Sequence, residues 1–82
     1  MNAPTHGHVL FFTSAAAFRA EKLALGANIQ GARLVPTPRE LSSDCGVALR
    51  FDVQALGDIQ LLLVEHKLAH ERIVAVSAAA GP

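Results

Sequence analysis

The stretch Val47-Ala48-Leu49-Arg50-Phe51-Asp52-Val53 alternates between large apolar residues and small or charged ones. Successive side chains of a strand point to opposite faces, so Val47, Leu49, Phe51 and Val53 share one buried face while Ala48, Arg50 and Asp52 take the other. Directly after it, Leu56, Ile59, Leu62 and Leu63 recur at helical spacing and predict a helix from about Gln54 to Leu68, with Gly57 a weak point near its start. Arg72-Ile73-Val74-Ala75-Val76 then reads as a strand.

Upstream, Val9-Leu10-Phe11-Phe12 is strand-favouring and too short for a helix. Thr13 or Ser14 can cap a helix over Ala15 to Leu25, whose alanines and leucines favour that state, and Gly26 with Asn28 offers its stop. Ala32-Arg33-Leu34-Val35 is a further strand, running into Pro36-Thr37-Pro38. The order strand–helix–strand–strand–helix–strand, joined by short connections, predicts a two-layer α+β sandwich of the ferredoxin-like βαββαβ type, with two helices on one face of a four-stranded antiparallel sheet. In that topology the turn into the first helix, the connection from Pro36 to Gly46 and the turn around His66 to His70 meet at one end of the sheet. Leu10 and Phe12 point opposite to Val9 and Phe11, so the first strand reads as apolar on both faces. An uncovered apolar sheet face seeks a partner, so a homo-oligomer through it is expected.

Composition bounds the rest. The 82 residues, 51% of them hydrophobic and 17% charged, suffice for one domain, with an ordered core over about 8–77 and flexible ends at 1–7 and 78–82. High hydrophobicity without net charge excludes an intrinsically disordered chain. Seven basic residues balance seven acidic ones, which speaks against nucleic acid or an anionic membrane as partner. No apolar run is longer than four residues, Leu61 to Val64 among them, too short to span a bilayer, and the first eight residues lack the basic and apolar regions of a signal peptide. A cytoplasmic location is expected, where the single cysteine stays reduced.

The connection Pro36-Thr37-Pro38-Arg39-Glu40-Leu41-Ser42-Ser43-Asp44-Cys45-Gly46 is too long for a plain hairpin turn. Thr37-Pro38-Arg39-Glu40 matches a capping box, predicting one helical turn from Pro38 to about Ser43 that delivers Cys45 to the start of the third strand. Gly46 leaves the sulfur sterically open. Cys45 reads in two ways. As a small buried hydrophobe it would be structural. Its polar neighbours Ser43, Asp44 and Gly46 argue instead for a working thiol. The first helix N-terminus at Thr13 and Ser14, together with Arg39, would favour a thiolate; Asp44 and the C-terminal end of the short turn act the other way.

The segment from Val35 to Phe51, Val-Pro-Thr-Pro-Arg-Glu-Leu-Ser-Ser-Asp-Cys-Gly-Val-Ala-Leu-Arg-Phe, resembles the core motif of the selenium/sulfur carrier protein-like family of small bacterial proteins. Phe11-Phe12-Thr13-Ser14 and Ala20-Glu21-Lys22-Leu23 are similar to that family's first strand and helix, so the resemblance runs from about Val9 to Val76. It implies that Cys45 receives sulfur or selenium as a persulfide or selenopersulfide from a donor enzyme, cysteine desulfurase-like, and delivers it to an acceptor protein. Such a protein is a carrier rather than a turnover enzyme and calls for no cofactor. Arg39, Ser42, Ser43, Asp44 and Gly46, with Thr13 and Ser14, are then the binding surround of the thiol. The alternative is a non-catalytic binding or regulatory domain in which Cys45 is structural and the polar loop 36–46 docks a partner. A third arrangement would place a metal on Cys45, His66 and His70, residue types that zinc accepts; His6 and His8 read as part of a loose N-terminus. Arg50 falls on the face opposite Leu49 and Phe51. Ser42 and Ser43 lack the strand–elbow–helix glycine pattern of a hydrolase nucleophile, and Gly26 and Gly31 lack the spacing of a phosphate loop.

Overall fold

A computed structural model describes residues 4–41 and 45–77. The chain runs β1 (Pro4–Leu10), α1 (Ser14–Gly26), β2 (Arg33–Pro36), β3 (Val47–Asp52), a 3₁₀ turn (Val53–Ala55), α2 (Leu56–Glu65) and β4 (Arg72–Ser77). The described residues form a four-stranded sheet in the order β2-β3-β1-β4, every neighbouring pair antiparallel. This is the βαββαβ sandwich expected from the alternation of patterns.

Register builds the core. Leu34 pairs with Leu49, Leu49 with Val9, and Val9 with Ile73, so one apolar row crosses all four strands. Val9, Leu49 and Phe51 join Ala17, Ala20 and Ala24 of α1 and Ile59, Leu62 and Leu63 of α2 in a single buried cluster. Each large side chain buried this way stabilises the fold by roughly 1.5–3 kcal/mol. The three alanines let α1 lie close over the sheet at little cost in side-chain entropy.

Both helices end as their sequences allow. Thr13 caps α1, its hydroxyl accepting from Ala16 N at 3.2 Å. At the other end Asn28 takes φ +56, and Ile29 N donates to Ala24 O at 3.0 Å. Lys67 takes φ +51 after α2, and Leu68 N donates to Leu63 O at 3.0 Å. Both are left-handed terminations in which the following apolar residue, Ile29 or Leu68, folds back into the core. Thus α2 stops at Glu65 rather than near Leu68, and the 3₁₀ turn occupies its expected first residues.

The largest departure is at β1. It spans Pro4–Leu10, not Val9 to Phe12, so His6 and His8 lie inside a central strand and not in a loose terminus. Histidine and glycine carry little strand preference; ladders to β3 and β4 on both sides supply the order. Phe11 is buried just past the strand, whereas Phe12 is exposed in the turn before α1. The face away from the helices therefore carries His6, His8 and Leu10 on β1, in rows with Arg50 and Asp52 of β3 and Val74 of β4. It is mixed in character rather than uniformly apolar, and Leu10 and Ala48 on it have no exposed surface.

Gly7 stands opposite Phe51 in this register. A Cβ there would meet Phe51 Cζ at 2.6 Å and Val74 O at 3.0 Å. The ring is 1% exposed and cannot swing away. Gly7→Ala is expected to cost about 1–3 kcal/mol through this overpacking. Urea unfolding checks it: an unchanged midpoint would show that the core yields around Phe51.

Candidate functional site

The end of the sheet formed by the last residue of β1 and the first residues of β3 and β4 gathers three connections, as the topology predicts. Glu71 N donates to Leu10 O at 2.6 Å, tying the turn before β4 to the end of β1. The β2–β3 connection closes with Thr37 N donating to Gly46 O at 3.0 Å, one step beyond the Pro36–Val47 pair. The Thr37 hydroxyl donates to Cys45 O at 2.9 Å. Thr37 thus pins the two ends of the connection together instead of serving as the N-cap of the expected helical turn. Between them a single turn remains, with Leu41 N donating to Pro38 O at 2.9 Å. Ser42, Ser43 and Asp44, three of the expected binding residues, lie outside the described residues.

Cys45 continues the parity of Val47, Leu49 and Phe51, so its side chain falls on the helix-covered face. It is 3% exposed and belongs to the main core cluster. Its Sγ lies 3.9 Å from Ser14 Oγ, the thiol in position to donate, and Ser14 is the first residue of α1. The serine hydroxyl can reverse that bond and donate to the sulfur when the thiol ionises. The site thus joins the sulfur, a hydroxyl able to serve either protonation state, and the positive end of a helix with no acidic residue in its first turn. Of the other expected residues, Thr13 holds the helix start, and Gly46 is exposed with open space around it. Arg39 is exposed, and no hydrogen bond or ion pair among the described residues joins it to Cys45.

His66 is the exposed C-cap of α2, and His70 lies beyond the helix with Nδ1 3.1 Å from Leu68 O. The two do not share a helical face. Among the described residues, no three His, Cys, Asp or Glu side chains are grouped so as to hold a metal ion.

A second group with chemical potential lies on the other face. His8 is 6% exposed, and its Nδ1 is buried without a hydrogen-bond partner. Burial, then the neighbouring His6 and Arg50, push its pKa below the ordinary 6.5, with Glu40 in the β2–β3 connection acting weakly the other way. The His6 and His8 rings meet edge to face at 5.3 Å, and Arg50 is held by Asp52 at 3.1 Å and by Gly31 O at 3.2 Å.

The family model described as "Putative Se/S carrier protein-like" matches residues 6–75. No curated protein and no solved structure matches the chain.

The lowered pKa of His8 has a consequence for stability. The folded state resists protonation of this ring, while the unfolded chain accepts a proton near pH 6.5. Stability is therefore highest above pH 6.5 and falls as the pH drops from there toward the folded-state pKa. Urea midpoints between pH 7.5 and 5 should fall more steeply for the wild type than for His8→Gln. Parallel curves would show that His8 is not the responsible group.

Proposed function

The chain belongs to the Se/S carrier protein-like family, and on that premise we propose that Cys45 is the atom-carrying thiol, loaded with sulfur or selenium by a donor protein and unloaded by an acceptor. The observation that supports this most directly is the setting of the only cysteine in the sequence: beside Ser14, at the N-terminus of α1, where the chain ends of β2 and β3 are pinned by Thr37. Loading is an exchange between sulfurs. The Cys45 thiolate attacks the terminal sulfur of a donor persulfide, the donor's S–S bond breaks, and the donor thiolate leaves. Cys45 then carries the persulfide, and no net oxidation occurs. Delivery repeats the step, with an acceptor nucleophile attacking the terminal atom and the Cys45 thiolate as leaving group. A selenopersulfide follows the same balance. Ser14 steadies the anionic sulfur by donating its hydroxyl hydrogen, and the α1 dipole adds to this. One thiol suffices for such a role, and a second in the same chain would discharge the persulfide as an internal disulfide.

Burial sets the condition for this chemistry. At 3% exposure, Sγ has to be uncovered when a donor docks, so modification by a small alkylating reagent should be slow in the folded protein and fast in urea. The same burial favours a second reading, a binding domain in which Cys45 is a packing residue and the loop 36–46 docks a partner.

Intact-protein mass spectrometry separates the two. After incubation with a cysteine desulfurase and cysteine, or with a selenium donor, the wild type should gain one reducible sulfur or selenium atom while Cys45→Ser gains none. The serine variant should remain folded, with a loss of no more than about 1–3 kcal/mol for placing a hydroxyl in the core. A wild type that stays unloaded by several donors, together with a Cys45→Ser variant that keeps its protein partners, would leave the packing reading in place.

A further inference from the structure

The outer surface of the helical layer is divided by charge, and no ion pair among the described residues accounts for the division. On α1, Ala17, Ala20 and Ala24 face the sheet, and the opposite side exposes Phe18, Lys22 and Leu25 at spacings of four and three, flanked by Arg19. Phe18 is 57% and Leu25 55% exposed. On α2, Ile59, Leu62 and Leu63 face the sheet, and the outer side exposes Asp58, Leu61, Val64 and Glu65. Ala27, Ile29, Leu61 and Leu62 line a groove beside α2 whose acidic members are Asp58 and Glu65. Arg19, Lys22, Asp58 and Glu65 enter none of the ion pairs among the described residues, which are Arg50–Asp52 and Arg72–Glu71. One helix thus presents an apolar stripe with cations, the other an apolar groove with anions.

We infer that the protein forms a symmetric dimer through this layer, α1 of each copy lying against α2 of the other. Each helix returns along the sheet against the direction of the strand before it. Because β1 and β3 are antiparallel, α1 and α2 are antiparallel as well. A two-fold axis running along the helices sets α1 of one copy over α2 of its partner, also antiparallel, and repeats the contact twice. In that direction Lys22 of α1 can oppose Asp58 of the second copy, and Arg19 then lies on the Glu65 side of that pair. Phe18 then falls against Leu61 and Val64, and Leu25 lies beyond the Lys22–Asp58 pair. The outward charges have one sign on each helix, the Glu21 carboxylate of α1 being turned to Leu34 N, and the overall neutrality of the chain adds no repulsion.

Sedimentation of the full chain under reducing conditions tests the contact with Lys22→Glu, Asp58→Lys, the double variant carrying both, and Leu61→Ser. All of these positions are exposed, so circular dichroism should report native folding throughout. The wild type should dimerise, and Lys22→Glu, Asp58→Lys and Leu61→Ser should each weaken the dimer about tenfold or more. The double variant should recover most of the loss from Lys22→Glu. A wild type monomeric up to its solubility limit overturns the inference. A dimer untouched by the three single substitutions does too, and places the contact elsewhere, the open sheet face around Val35 and Val74 being the competing surface. Loss in the single variants without recovery in the double one overturns the antiparallel arrangement.

Discussion

Val9 stands opposite Leu49 at the centre of the sheet, and the rest of the molecule depends on that pairing. It aligns the apolar row from Leu34 to Ile73 and seats the alanines of α1 and the leucines of α2 on one face. A slip of one residue between β1 and β3 would turn Leu49 and Phe51 to the opposite face and present Ala48 and Arg50 to the helices. The same slip would move the sulfur. Cys45 lies two residues before Val47, in the same parity, and reaches Ser14 because that parity points it toward α1. Core and site therefore share one determinant. The fit of Gly7 against Phe51 reinforces the register, since a glycine is needed on β1 where the ring lies.

Much of this was legible in β3 alone. Its alternation identifies the buried face, and the helical spacing after it forces a crossover. Those two patterns, with the order of the remaining runs, lead to the ferredoxin-like sandwich that the structure has. What stayed hidden lies where local preference and tertiary context diverge. His6-Gly7-His8 has no strand signature, and its order comes from neighbours on both sides that are distant in sequence. Thr37-Pro38-Arg39-Glu40 does have a local signature, a capping box, yet the hydroxyl is drawn instead to Cys45 O across the connection. A short capped turn gains little alone, whereas closing a ten-residue connection at its ends extends the β2–β3 ladder by one step.

The sequence leaves Cys45 open to two readings, a buried packing residue or a working thiol. The polar neighbours of Cys45 argue for a working thiol, and in the structure the residue, two positions before Val47, takes the covered face. Parity decided. Burial and reactivity are not opposed in principle, since a low-energy opening of a connection exposes its residues briefly without unfolding the sheet. The sulfur lies beside the Ser14 hydroxyl at the N-terminal end of α1 and is shielded from water. On the proposed carrier reading, a terminal sulfur held there would be kept from stray thiols and oxidants between donor and acceptor.

The two faces of the sheet divide the labour along a different line. The helix-covered side ends in the thiol, and its outer layer carries the exposed stripes Phe18–Leu25 and Leu61–Val64. The bare side holds the charged row through Arg50 and the buried ring of His8. Helix-to-helix dimerisation would cover the middle of the layer and leave the sheet end with Thr13, Ser14 and Gly46 at its margin. Donor and acceptor would then approach along the strand axes, where Thr37 holds the connection shut, rather than across either face. On the proposed carrier reading, opening the site along that line would part the Thr37 hydrogen bonds to Cys45 O and Gly46 O while both helices stay in place.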